Sequence, residues 1–154
     1  SNIRRNSPLC LDSKIHHNNL INNILAKIEA NHAGVDDALM LDIDGFVSET
    51  NATNIFMIKD GTVYTPFPKA CLPGITRQTV IDICQSNNIP IIEKDISVTE
   101  MYNADEVFST GTMGELARVE EIDKRKIENK GDILSNLQNL FRKLTEKDGE
   151  KIPF

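Results

Sequence analysis

Two Asp-Gly dipeptides in the first half of the chain constrain its fold more than any other feature. Apolar residues 39–43 and 46–47 flank Asp44-Gly45, and residues 54–58 and 62–65 flank Asp60-Gly61. A two-residue hairpin turn holds both central residues at positive φ, which Gly adopts freely and Asp tolerates. Apolar runs on either side of such a pair therefore fold back on one another. Two hairpins in tandem put an antiparallel sheet at the centre of the molecule.

Around that sheet the period of the apolar residues changes. Leu20, Ile21, Ile24, Leu25 and Ile28 recur at helical spacings, with Gly34 as a stop signal. A second helix is expected from about Thr76 to Asn87, burying Val80, Ile83 and Cys84. Residues 89–92 read as a short strand and 99–102 as a helical turn. Residues 107–108 form a strand running into the turn 110–114, and residues 116–122 form another, ended by the polar run 123–126. A last helix over about 133–144 carries Ile133, Leu134, Leu137, Leu140, Phe141 and Leu144 as a core stripe, and residues 146–154 read as a frayed tail. The fold class is α/β of the mixed α+β kind, with a hairpin-rich central sheet or barrel flanked by helices.

Composition narrows the functional classes. At 154 residues, with 40% hydrophobic and 26% charged side chains, the chain matches a globular domain with a sizeable core. No run approaches the roughly 18 apolar residues needed to cross a membrane, and residues 1–5 are polar rather than signal-like, so a cytoplasmic protein is expected. A net charge of −6, no Trp and no basic stripe argue against nucleic acid as partner. Cys10, Cys71 and Cys84 lie far apart without a CxxC pair, and are expected to be reduced, buried thiols. His16-His17 has no companion ligands at metal spacing, so no metal is expected. Nucleotide-binding glycine motifs have no counterpart in the sequence.

Four segments bear on chemistry. In Leu72-Pro73-Gly74-Ile75-Thr76-Arg77, a Gly and a hydroxyl residue open a helix, where free N–H groups and the helix dipole suit an anion such as phosphate; an ordinary helix cap has the same look. Thr110-Gly111-Thr112-Met113-Gly114 follows a strand and would let backbone amides approach a ligand, or form only a tight turn. Glu49 ends a hydrophobic strand, where a carboxylate either faces a cleft and holds a protonated ring nitrogen or meets solvent. Lys14, before the first long helix, becomes a nucleophile only if desolvated, because burial lowers its pKa.

Taken in order, the runs DDALMLDIDGFVSETNATNIFMIKDGTVYTP, CLPGITRQTVIDIC and DEVFSTGTMGELARVEEID closely resemble the class IV, or branched-chain-like, aminotransferases, over about residues 4–144. The resemblance implies the second, cofactor-binding domain of a fold type IV enzyme that uses pyridoxal 5′-phosphate. It implies ping-pong transfer of an amino group between an amino acid and a 2-oxo acid. Under it, Glu49 pairs with the pyridine nitrogen and Leu72 packs on the ring face. Gly74, Ile75 and Thr76 cradle the phosphate, Thr112 supplies a second phosphate contact, and Met113 and Gly114 face the substrate carboxylate. It also implies a homodimer, with residues 1–12 as an interdomain linker remnant and 13–146 as the cofactor-binding domain. Residues 147–154 form a tail and the small first domain is missing, so little turnover is expected from this chain alone. The Schiff-base lysine of the family stands three positions before an Asn. Counted back from Asn19, that register falls on His16, and Lys14 is the nearest lysine. Either the loop is re-registered so that Lys14 serves, or His16 has replaced the lysine and the domain is a non-catalytic pseudo-enzyme. An aminodeoxychorismate lyase, releasing pyruvate on the same fold, is the alternative chemistry.

Overall fold

A computed structural model describes residues 1–15 and 18–148. His16, His17 and the last residues of the chain lie outside the described part.

The elements in chain order are α1 (Ile21–Ala33), β1 (Leu39–Leu41), β2 (Val47–Thr50), β3 (Asn54–Lys59), β4 (Thr62–Thr65), α2 (Ile75–Ser86), β5 (Ile91–Glu93), α3 (Val98–Tyr102), β6 (Glu106–Gly111), β7 (Glu115–Arg118), β8 (Glu121–Ile122), β9 (Arg125–Lys126) and α4 (Ile133–Asp148). The central sheet has five strands in the order β5-β4-β3-β6-β7, antiparallel except for the β4–β5 pair. The β3–β4 hairpin forms as expected. Strands β1 and β2 pair instead in a separate two-stranded sheet with a register shift after Met40, joined by the loop 42–46 rather than a two-residue turn. The reason is that Asp42 Oδ1 accepts from the N–H groups of Asp44 and Phe46 and ends β1 early. Asp60 and Gly61 stand at φ 48° and 78°, both positive as a two-residue hairpin turn demands. The mixed α/β architecture expected above is the one observed.

One face of the sheet carries the main core. Phe56 on β3 and Phe108 on β6 are register partners, their rings stacked at 4.8 Å. Over them pack Val80, Ile81, Ile83 and Cys84 of α2 and Leu134, Leu137 and Phe141 of α4. The opposite face meets Ile96, Met101 and Ala104 around α3, whose start is closed by a Ser97–Glu100 capping box. Glu106, fully buried, accepts from the N–H groups of Ile133 and Leu134 and so fixes where α4 begins.

Several expectations need correction. Helix α1 starts at Ile21, and its apolar stripe is not core: Leu20, Ile21, Ile24, Leu25 and Ile28 are exposed, while the buried residues are Ala26 and Ala30. Small side chains let that helix sit close on Met40, and the large ones point away. Thr110 and Gly111 belong to β6 rather than to a turn, because they continue the ladder with Leu116 and Glu115. The strand expected over 116–122 is split into β7 and β8. The polar run after it is a hairpin, with Asp123 and Lys124 at φ 50° and 63°. Helix α4 extends to Asp148, into the expected tail. Cys10 is exposed, unlike the buried Cys71 and Cys84, because the segment around it lies on the surface. Among the described residues no helix is long and apolar enough to cross a membrane.

Candidate functional site

The turn after β2 creates the site. Thr50 Oγ1 accepts from the N–H groups of Ala52 and Thr53 and lies 2.8 Å from Thr53 Oγ1, reversing the chain within four residues. That reversal brings Asn54, the first residue of β3, beside Glu49 in β2. The Asn54 amide donates to Glu49 Oε2 at 3.2 Å and to the Leu72 carbonyl at 3.1 Å. Its other face is pressed by Gly74, where an added Cβ would stand 1.9 Å from Asn54 Oδ1. Gly74 also has φ 74°, a backbone conformation that side chains strain. Glu49, Asn54, Leu72 and Gly74 are therefore one cluster. Position 74 is glycine for two independent reasons.

From Gly74 the chain enters α2 with no side chain of the described residues capping its first turn. Ile75 is 89% exposed and Thr76 half-buried, leaving the start of the helix open to an anion. The helix is anchored instead by Arg77, which is buried. It donates to Thr65 Oγ1 and the Pro66 carbonyl and pairs with Glu93 at 2.5 Å. On the other side, β3 and β6 pair with Asn54 opposite Thr110. Gly111 is equally confined, since a Cβ there would stand 3.0 Å from Thr53 Cγ2. Thr112, Met113 and Gly114 then form an exposed turn beyond that strand end. Thr110 Oγ1 is buried with no partner among the described residues, as is Ser48 Oγ, one residue before Glu49 on β2.

A residue that sequence reasoning missed completes the cluster. Arg5, 5% exposed, pairs through Nη2 with Glu49 Oε1 at 2.7 Å. Its Nε donates to the Ala70 carbonyl at 3.0 Å and its Nη1 to Asn23 Oδ1 of α1. Burial pushes the Glu49 carboxyl up to about 7, against the pull of Arg5. Nearby, burial and then the Glu49 charge push the Cys71 thiol up to about 12, leaving it protonated near neutrality. Asn54 was equally unheralded; its only sequence signal is a polar residue opening an otherwise apolar strand.

Lys14 is not drawn into this cluster. It is exposed, its backbone N–H donates to Asp12 Oδ1, and its ammonium makes no hydrogen bond or ion pair with the described residues. His16 lies outside them. A cleft of about 410 Å³ runs beside Arg5, lined by Arg4, Ser7, Cys10, Asn19 and Asn22 among others.

The arrangement sets an anionic side chain against two backbone turns. A buried carboxylate suits a cationic nitrogen, and the helix start suits an anion. Comparison with known proteins gives the same family. The sequence profile described as Amino-transferase class IV matches residues 1–122. The chain belongs to the class IV aminotransferase family. Over 152 residues it is 60% identical to branched-chain-amino-acid aminotransferase-like protein 2 of Arabidopsis thaliana, covering 97% of this chain and 27% of that protein. Among solved structures it superposes on the branched-chain aminotransferase of Thermoproteus uzoniensis with norvaline, with a TM-score of 0.92 and 34% identity over 97% of this chain and 51% of that one. The branched-chain amino acid aminotransferase of Thermobaculum terrenum in its PLP-bound holo-form gives a TM-score of 0.91 and 30% identity over 96% of this chain and 50% of that one. This class IV chain thus spans about a quarter to a half of the length of the relatives it matches.

Proposed function

We propose that this chain is the cofactor-binding part of a pyridoxal-phosphate transaminase that moves an amino group between a branched-chain-like amino acid and a 2-oxo acid. The observation that carries the reading is the buried Glu49 carboxylate, held on one oxygen by Arg5 and on the other by Asn54. Its surroundings suit the cofactor on structural grounds. Asn54 packs so closely on Gly74 that a Cβ there would stand 1.9 Å from Asn54 Oδ1, and the start of α2 is uncapped by the described residues. The Thr110 hydroxyl, on the strand paired with Asn54, is buried without a partner among them.

In this reading Glu49 holds the pyridine nitrogen in its protonated form. Leu72 covers the ring, and the backbone of Ile75 and Thr76 with the Thr76 hydroxyl holds the phosphate, assisted by Thr112. Met113 and Gly114 present backbone to the substrate carboxylate. When bound, the cofactor supplies an electron sink for the charge that develops on the substrate carbon. The protein's part is orientation and electrostatics. Glu49 keeps a proton at the ring nitrogen, and the two turns neutralise the phosphate. The exposed apolar residues of α1 support a homodimer or a covering domain over that face. The free thiols support a cytoplasmic setting.

A second reading, in which the cofactor is bound without a covalent lysine, is favoured by the exposed ammonium of Lys14. Borohydride reduction of the purified protein with pyridoxal phosphate, followed by peptide mapping, separates the two. A pyridoxyl label on Lys14 supports the transaminase, and tight binding with no labelled lysine supports the second reading. Failure to bind pyridoxal phosphate at all defeats both.

A further inference from the structure

Arg5 makes more contacts than a surface anchor needs. Each of its guanidinium nitrogens has a separate partner: Nε the Ala70 carbonyl, Nη1 the Asn23 side chain, Nη2 the Glu49 carboxylate. The backbone on which it sits is fixed as well. The Arg5 N–H donates to the Leu41 carbonyl at 2.9 Å, and Arg4 bridges to the same residue of β1. Asn23 is itself held, its amide donating to the Asn51 carbonyl at 2.8 Å. Helix α1, strand β2 and the loop before α2 therefore meet at one guanidinium, while β1 holds the Arg5 backbone and the turn after β2 holds Asn23.

The consequence falls on Glu49. Arg5 holds Oε1 and Asn54 holds Oε2, so the carboxyl group cannot rotate without breaking both contacts. Arg stays charged at any pH the fold survives and its planar fork is rigid, whereas Lys would offer a mobile point charge. The other groups facing Glu49 carry no compensating charge. Strand β1 presents Met40 in register with it, and the loop before α2 brings the Cys71 thiol near it, with Arg77 acting on that thiol from beyond. Among the described residues Arg5 is the ionic partner of Glu49.

We infer that Arg5 is a positioning residue that favours the ionised form of Glu49 and fixes its rotation, and thereby sets how strongly the site holds a protonated aromatic nitrogen. The inference rests on the cofactor reading above. An ion pair that merely pins the entry segment to the domain would cost stability when lost but leave the protonation of a still-folded Glu49 unchanged.

The test follows the Glu49 carboxyl itself. In cofactor-free protein carrying ¹³C in its glutamate side chains, the Glu49 signal is assigned by its loss in Glu49→Gln and titrated by NMR. Arg5→Gln should raise its midpoint by at least about one pH unit, and Arg5→Lys by less. Pyridoxal phosphate affinity near neutral pH should fall about tenfold in Arg5→Gln, the deficit shrinking as pH rises and Glu49 ionises. An unmoved midpoint in a folded Arg5→Gln overturns the inference. If Arg5→Gln does not fold, Arg5→Lys and Asn23→Ala, which frees Nη1, carry the same measurement, and an unmoved midpoint in both overturns it equally. Undiminished pyridoxal phosphate affinity in Glu49→Gln would instead sink the reading of the site, whatever Arg5 does to the midpoint. The two failures are thus distinguishable.

Discussion

Glu49 and Glu106 are both buried glutamates on strands of this domain, and they are held in opposite ways. Glu106 accepts from the backbone N–H groups of Ile133 and Leu134, closing the start of α4. Gly131 leaves room for it, since a Cβ there would lie 2.3 Å from its Oε1. Its partners are backbone amides fixed by the helix they open. Glu49 is held by a guanidinium and a side-chain amide, in a cluster with an open helix start and, across from Asn54, a Thr110 hydroxyl with no partner among the described residues. Burial alone therefore does not mark a functional carboxylate. What separates them is whether the neighbours have been used up by the fold.

The largest expected effect sharpens that difference. Glu49→Ala should lower turnover of the full-length protein by more than about 100-fold and abolish tight pyridoxal phosphate binding. Glu106→Ala should leave the affinity of the folded protein for the cofactor unchanged while costing about 3 kcal/mol in denaturant unfolding. Near-equal loss of affinity in both variants would erase the distinction.

The glycines beside the two clusters should divide in the same way. Gly74→Ala and Gly131→Ala should each destabilise by about 2 kcal/mol, through a collision with a pinned side chain. Only Gly74→Ala, which displaces Asn54 from Glu49, should also weaken the cofactor, as read by absorbance titration.

A pH effect should appear at Glu49. Its carboxyl is raised from an ordinary 4.5 to about 7 in the folded protein, so the folded state binds this proton more tightly than the unfolded one. The ionised form costs stability that is fully felt above about 7 and disappears as pH falls to about 4.5, a swing of about 3 kcal/mol. Thermal unfolding across that window should therefore show a stabilising contribution on acidification that Glu49→Gln lacks. Cofactor affinity should run the other way and improve as pH rises through about 7. A stability difference between the two proteins that is constant across the window would contradict this assignment.

The smallest effect is at Cys71, whose thiol is pushed up by burial and by the Glu49 charge. At neutral pH iodoacetamide should label the exposed Cys10 first and leave Cys71 and Cys84 nearly untouched, as read by peptide mass. Prompt labelling of Cys71 would mean that the cluster is more open than described.

Much of this was legible from residue order. Asp60-Gly61 announced its hairpin because few residues accept two positive φ angles in a row. Helix α2 buries the Val80, Ile83 and Cys84 that its spacing selected. The hairpin at Asp123-Lys124 was missed because Lys124 carries no turn signal, although it stands at φ 63°. Periodicity also misled at α1. It showed which face was apolar, but here that face is exposed while Ala26 and Ala30 make the contact. Glu49, Leu72, Gly74, Ile75 and Thr76 were singled out from the sequence, whereas Arg5 was passed over as part of an entry segment.

By itself the sequence determined the β3–β4 hairpin, which side of each helix is apolar and the residue types at the candidate site, because each depends on neighbours within a few positions. Only the tertiary structure decided that Arg5, Glu49, Asn54 and Gly74 meet. Those contacts join an entry segment, two strands and a helix start that are separate along the chain. A charge pair of that kind has no periodicity and no turn chemistry to announce it. Its partners are selected by the packing that removes them from water, and that packing exists only once the chain has folded.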